Sequence, residues 1–369
     1  MILNYKNNID ISTFVIVFDG STQLETKGKY GTSHLIEHLL CKSFDHLLND
    51  FQQYGITWNA YTSNNEIVFY LSGLDKFVNK YKYLILDLII NYVPSIYDFE
   101  NEKKIIIEEY KDSFNEQINN HFLNLERKLF NYYSPIGLKE DIENYNYDTM
   151  INDINKYYRT PIKIINISKN SPFKNDINLN IEYKVKKLKY GNFNVPLELD
   201  NDFKTKESLI NFSPILNNKD DYPYIDFITK MLGTGLNSPL YQEIREKKTL
   251  VYYIHNYLYD INKDQYLITF VTETSKNNVN LFFDEISNIL SNPDKYLTKE
   301  RFNVIKKYLK INLEKNNILI HDKYHKFITP QYRLMDNIIN KITFNKIREI
   351  YDKYFYWDDF YKSIYNKEF

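Results

Sequence analysis

Two histidines and a glutamate stand at a spacing that can do metal chemistry: His34-Leu35-Ile36-Glu37-His38, inside GTSHLIEHLLCKS from Gly31 to Ser43. On a helix, positions i and i+4 share a face, so both imidazoles point the same way, one turn apart. That is the bite two imidazoles need to share one zinc ion at roughly 2 Å each. Glu37 can hang beside the metal without ligating it, where a general base for an activated water belongs.

A catalytic zinc site wants a third protein ligand and one open position. Asp98 to Tyr110, DFENEKKIIIEEY, offers that ligand on an element expected to pack against the histidine helix. Glu102 and Glu109 fall on one helix face about two turns, or roughly 10 Å, apart. They cannot both bind one zinc, and spacing alone does not choose between them.

The order H-x-x-E-H inverts the commoner H-E-x-x-H and marks the inverzincin metallopeptidases. With Glu102 and the Glu108-Glu109 pair downstream, it resembles the pitrilysin/insulinase family, which includes the mitochondrial processing peptidase. The resemblance implies one zinc per chain, held by His34, His38 and Glu109, with Glu37 as general base and Glu102 supporting the site electrostatically. It also implies that the strand carrying Asn59-Ala60 pairs with extended substrate by β-augmentation. In the second half, LNSPLYQEIREKKTLVYY from Leu236 to Tyr253 resembles the family segment in which Arg245 and Tyr252 complete the active site. An arginine can bind substrate carboxylates or carbonyls, and a tyrosine can donate to a forming oxyanion.

Those motifs need a fold to hold them, and 369 residues suffice for two domains with ordinary cores. Apolar residues make up 43%, charged ones 26%, and the net charge is -1, which argues for a globular protein and against a nucleic-acid binder. Cys41 is the single cysteine, read as a small buried thiol; a reducing compartment follows, since no disulfide can form within the chain. MILNYKNNID shows no targeting pattern and no stretch is long and apolar enough for a membrane span, so the expected compartment is the cytoplasm.

The expected class is α+β: two similar domains, each an antiparallel-rich sheet with helices packed on one face, together half of a clamshell. The zinc domain covers 1–170 and the Arg/Tyr domain 181–369, joined through the polar stretch Ser168 to Asn180. In the first, Thr13 to Phe18 reads as a buried strand. Thr32 or Ser33 is a fair N-cap for the histidine helix, and Gly55 ends a helix from Asp45. Trp58 to Thr62 and Glu66 to Ser72 read as strands, Lys76 to Tyr92 and Asp98 to about Asn131 as helices. In the second, Ser208 to Phe212 reads as a strand, Tyr222 to Leu232 and Ser238 to Lys247 as helices, and Leu250 to Tyr259 and Gln265 to Thr272 as strands, with four helical stretches completing the chain.

The expected function is a zinc endopeptidase acting on unfolded or extended peptides in a closed chamber. The alternative is a non-catalytic peptide-binding or scaffold subunit. Full-length family members close two halves around the substrate, so the resemblance implies a homodimer, with a heterodimer of related chains as the other possibility.

Overall fold

The computed structural model describes residues 1–6, 8–115, 133–174, 197–199, 207–214, 216, 218–262, 265–318 and 335–365. The chain divides into two compact units, each with its own five-stranded sheet and its own apolar core.

The first unit begins with β1 (Ile2–Lys6) and β2 (Ile11–Asp19). Along β2, side chains alternate. Phe14, Ile16 and Phe18 enter the core under the helices, while Val15 and Val17 join Val68, Ile165 and Ile167 on the opposite face. With apolar residues needed on both faces, the strand reads as one continuous run. There follow α1 (Thr32–Cys41), a 3-10 stretch Lys42–Leu47, α2 (Leu48–Tyr54), β3 (Thr57–Thr62), β4 (Glu66–Leu74), α3 (Asp75–Asn91), α4 (Ile96–Asn115), α5 (Lys139–Asn144), α6 (Tyr147–Tyr157) and β5 (Lys163–Ser168). The expected continuation of α4 to about Asn131 lies outside the described residues. The strand order is β1-β5-β2-β4-β3, parallel between β1 and β5 and antiparallel elsewhere. Among the described residues β3 is therefore an edge strand, and α1 lies against it.

The second unit holds β6 (Leu197–Leu199), β7 (Glu207–Ser213), α7 (Tyr222–Gly233), a π-helical stretch Tyr241–Lys247, β8 (His255–Asn262), β9 (Gln265–Ser275), α8 (Val279–Leu290), α9 (Pro293–Tyr296), α10 (Lys299–Ile318), α11 (Phe344–Tyr354) and β10 (Tyr361–Tyr365). Its order, β6-β10-β7-β9-β8, repeats the first sheet strand for strand, including the single parallel pair. The chain is thus a topological repeat whose two copies share architecture rather than residues.

Several local expectations change. The closing strands β1 and β10 were not expected: both are short, and β1 pairs with β5 about 160 residues downstream. The stretch read as linker starts as packed structure. Phe173 is buried against Phe14, Ser171 accepts a 2.7 Å hydrogen bond from the buried Lys82, and residues 175–180 lie outside the described residues. Residues 250–254 are not strand. The Thr274 and Thr272 hydroxyls donate to the Leu250 and Tyr253 carbonyls, replacing ladder bonds, and β8 starts only at His255.

Candidate metal centre

Helix α1 places the histidines by burying its other side. Leu35, Ile36, Leu39 and Leu40 are wholly within the core, which leaves His34 and His38 half-buried on the adjoining face. The expected Thr32 or Ser33 cap is not used. Gly31 is the N-cap, at φ +95 where a side chain is strained, and its Cα packs on Gly137. Glu25 folds back to accept from the backbone N–H of Gly31 at 2.9 Å and of Ser33 at 2.8 Å. A carboxylate six residues upstream thus does what a cap side chain would do, and it complements the helix dipole. Burial pushes the Glu25 carboxyl up to about 7, against those hydrogen bonds.

The rings of His34 and His38 lie edge to face, centroids 4.8 Å apart. Their Nε2 atoms converge on one carboxylate of α4: His34 Nε2 is 3.7 Å from Glu109 Oε2, and His38 Nε2 is 3.8 Å from Glu109 Oε1. These gaps are too long for hydrogen bonds. Ligands around a tetrahedral zinc with bonds of 2.0–2.1 Å stand about 3.4 Å from one another, so both histidine–carboxylate gaps are close to that spacing. Glu102 meets His38 on its other nitrogen, Oε2 to Nδ1 at 3.1 Å, and its Oε1 lies 3.1 Å from Lys42 Nζ. The two acidic residues separated by two turns are therefore divided between the two nitrogens of one ring.

Glu37 is buried, and its donor atoms lie within 4.8 Å of those of both histidines. It differs from Glu109 in being occupied elsewhere. Oε2 accepts from Thr62 Oγ1 at 3.0 Å, and Cys41 Sγ approaches Oε1 at 3.9 Å.

The electrostatics separate the groups. Burial, with the neighbouring His38, pulls His34 down to about 3, so it is a neutral donor at any ordinary pH. Burial also pulls at His38, but the Glu102 hydrogen bond and the carboxylates of Glu37 and Glu109 outweigh it and hold the ring above its usual value. The Glu37 carboxyl is raised by burial despite His38 and Thr62. Glu102 is held below the usual carboxylate range by its hydrogen bond to His38, against burial, and by Lys42. His34, His38 and Glu109 could hold a zinc ion: two neutral imidazoles and one carboxylate form a hydrolytic donor set. His34 Nδ1 is buried without a hydrogen-bond partner among the described residues, so its orientation rests on packing.

Asn59 and Ala60 lie on the edge strand β3, Asn59 exposed and Ala60 half-buried beneath α1. In the second unit, Arg245 and Tyr252 come together, the guanidinium carbon 5.0 Å from the Tyr252 ring centroid and 4.5 Å from that of Tyr241. Tyr252 is not in a strand but 80% exposed, following Thr249 at a left-handed φ of 51. Lys42 and Thr62 were missed as site residues, although Lys42 continues the four-residue spacing of His34 and His38 and Thr62 ends the strand of Asn59-Ala60.

A repeated α+β unit with an inverted H-x-x-E-H helix under its sheet defines a peptidase-like class. The chain belongs to the insulinase family, peptidase family M16: residues 1–134 match that family's model, and residues 191–309 match the model called peptidase M16 inactive domain. An uncharacterized zinc protease of Bacillus subtilis (strain 168), YmxG, is 22% identical over 343 residues, 86% of this chain and 83% of that one. Among solved structures, a protease from Helicobacter pylori has a TM-score of 0.79 at 15% identity, over 99% of this chain and 96% of that one. A peptidase M16 inactive domain from Pseudomonas fluorescens has a TM-score of 0.76 at 12% identity, over 100% and 95%. These likenesses share the two-domain fold.

Proposed function

We propose that the protein is a zinc-dependent endopeptidase for unfolded or extended peptides. The observation that carries this is the convergence of His34 Nε2 and His38 Nε2 on the Glu109 carboxylate beside a separately held Glu37. His34, His38 and Glu109 would hold the ion, whose Lewis acidity polarises a carbonyl and makes water nucleophilic near neutral pH. Glu37 takes a proton from the attacking water as the new C–O bond forms. It then returns that proton to the amine nitrogen as the C–N bond breaks. Its raised proton affinity suits both halves of that exchange. The edge of β3 that is unpaired among the described residues, at Asn59-Ala60, pairs with the substrate backbone, which requires an extended peptide. Arg245 grips the substrate, and Tyr252 donates to the oxyanion.

We further propose a closed chamber formed by a homodimer, each subunit's Arg245 and Tyr252 completing the other's site, with a heterodimer of related chains as the alternative. Among the described residues no helix is long and apolar enough to cross a membrane. The single cysteine, which leaves no disulfide to form within the chain, supports the cytoplasm as compartment. A second reading, a non-catalytic peptide-binding subunit, draws on the fold likeness to an inactive M16 domain. Retention of His34, Glu37 and His38 favours the enzyme. Peptide cleavage that a chelator abolishes and zinc restores supports the peptidase; binding without cleavage would leave the scaffold.

A further inference from the structure

We infer that Lys42 is a positioning residue of the metal centre, acting through Glu102 on His38. The inference rests on the zinc reading of the site. Lys42 follows the last residue of α1 with helical backbone angles, φ -60 and ψ -23, so His34, His38 and Lys42 form one stripe at four-residue spacing. Glu109 and Glu102 form the facing stripe on α4. The stripes pair in sequence: His34 and His38 with Glu109, then His38 and Lys42 with Glu102.

Glu102 is only 3% exposed, and each oxygen has one named donor, Lys42 Nζ on Oε1 and His38 Nδ1 on Oε2, both at 3.1 Å. A buried carboxylate is costly without such partners. With Oε1 anchored, Oε2 is fixed as an acceptor. The proton of a neutral His38 then sits on Nδ1, and the lone pair on Nε2, the nitrogen facing Glu109. Without Lys42 one oxygen of the buried carboxylate loses its donor, Glu102 can shift away from Nδ1, and the constraint that orients the ring and selects its tautomer weakens. Lys42 is half-exposed and also lies 3.4 Å from Asp45 Oδ2, so water and Asp45 can absorb part of any change there. The effect should be graded rather than absolute.

The test is competition of the full-length chain against a chromophoric chelator for Zn²⁺, for wild type, Lys42→Met, Lys42→Gln, Lys42→Arg, Glu102→Gln and Lys42→Met in the Glu102→Gln background. Thermal unfolding of the metal-free proteins checks that each is folded. Lys42→Met and Lys42→Gln should weaken zinc binding by about 3- to 10-fold, less than the 10- to 100-fold typical of a ligand's direct partner. Lys42→Arg should recover most of the loss, and Lys42→Met should cost nothing further once Glu102 is glutamine. Unchanged affinity in Lys42→Met and Lys42→Gln, or an equal loss in the Glu102→Gln background, overturns the inference while leaving the zinc site standing. A folded wild type that binds no zinc overturns both.

Discussion

His38 and Glu102 are joined through the ring nitrogen that faces away from Glu109, Nδ1 to Oε2 at 3.1 Å, while Nε2 of the same ring points toward Glu109. One imidazole therefore meets two acidic residues of a single helix, one on each nitrogen, and on the zinc reading proposed above Glu109 faces the ion while Glu102 supports the ring. Removing each should produce a different defect. Glu109→Ala should lose zinc by metal analysis, whereas Glu102→Gln should keep it at high zinc and weaken affinity by about 10- to 100-fold. Equal zinc loss in both variants would contradict the division.

Thr62 donates to Glu37 at 3.0 Å and orients the carboxylate. Thr62→Val keeps the strand's shape and removes the donor. It should lower kcat by about 10-fold with little change in KM or zinc content, one hydrogen bond being worth roughly 1–1.5 kcal/mol. Thr62→Ser should recover most of the rate. A steady-state profile identical to wild type for Thr62→Val would remove Thr62 from the site.

Glu25 ties the start of α1 through two backbone N–H groups. At pH below 4.5, Glu25→Ala should cost about 1–2 kcal/mol in unfolding free energy, as cap removals do. Its carboxyl, raised from 4.5 to about 7, binds its proton more tightly in the folded than in the unfolded chain. This group's contribution to stability is then largest below pH 4.5 and declines as pH rises to 7. Glu25→Gln should remove that part of the slope in unfolding measurements across the window. An unchanged slope would contradict the raised value.

Much of this was legible because helix periodicity is local. His34, Glu37 and His38 read as one constellation from their spacing, and the seven-residue interval of Glu102 and Glu109 put both on a shared face. Their spacing did not divide the roles between those two, which the family resemblance alone assigned, because physically the division depends on how α1 and α4 pack. The cap was missed for a similar reason: Glu25 reaches the helix only because the loop folds back, while Thr32 spends its hydroxyl on the Lys29 carbonyl. Tyr252 read as a strand residue because LVYYIHNYLY is apolar and aromatic apart from His255 and Asn256. What excludes it from the strand is a pair of threonine hydroxyls on β9 that no local pattern reveals. β1 and β10 have partners far along the chain, and short strands of mixed character carry little signal alone.

Assembly is open to complementation. Mixing inactive Glu37→Gln subunits with inactive Arg245→Ala subunits should restore peptide cleavage if each chain completes its partner's site. A mixture that stays inactive while mixed dimers demonstrably form, or an active monomer, would contradict the homodimer.

On the proposed reading, Glu37 moves the proton at a zinc site held by His34, His38 and Glu109. That role is tested most directly by the turnover of an unstructured peptide by wild type and Glu37→Gln at matched, measured zinc content. The expected result is one zinc per chain in both and a rate at least about a thousandfold lower in the variant, the scale of losing a buried general base. Wild-type-like turnover by zinc-loaded Glu37→Gln, or no cleavage by zinc-loaded wild type, would contradict the account.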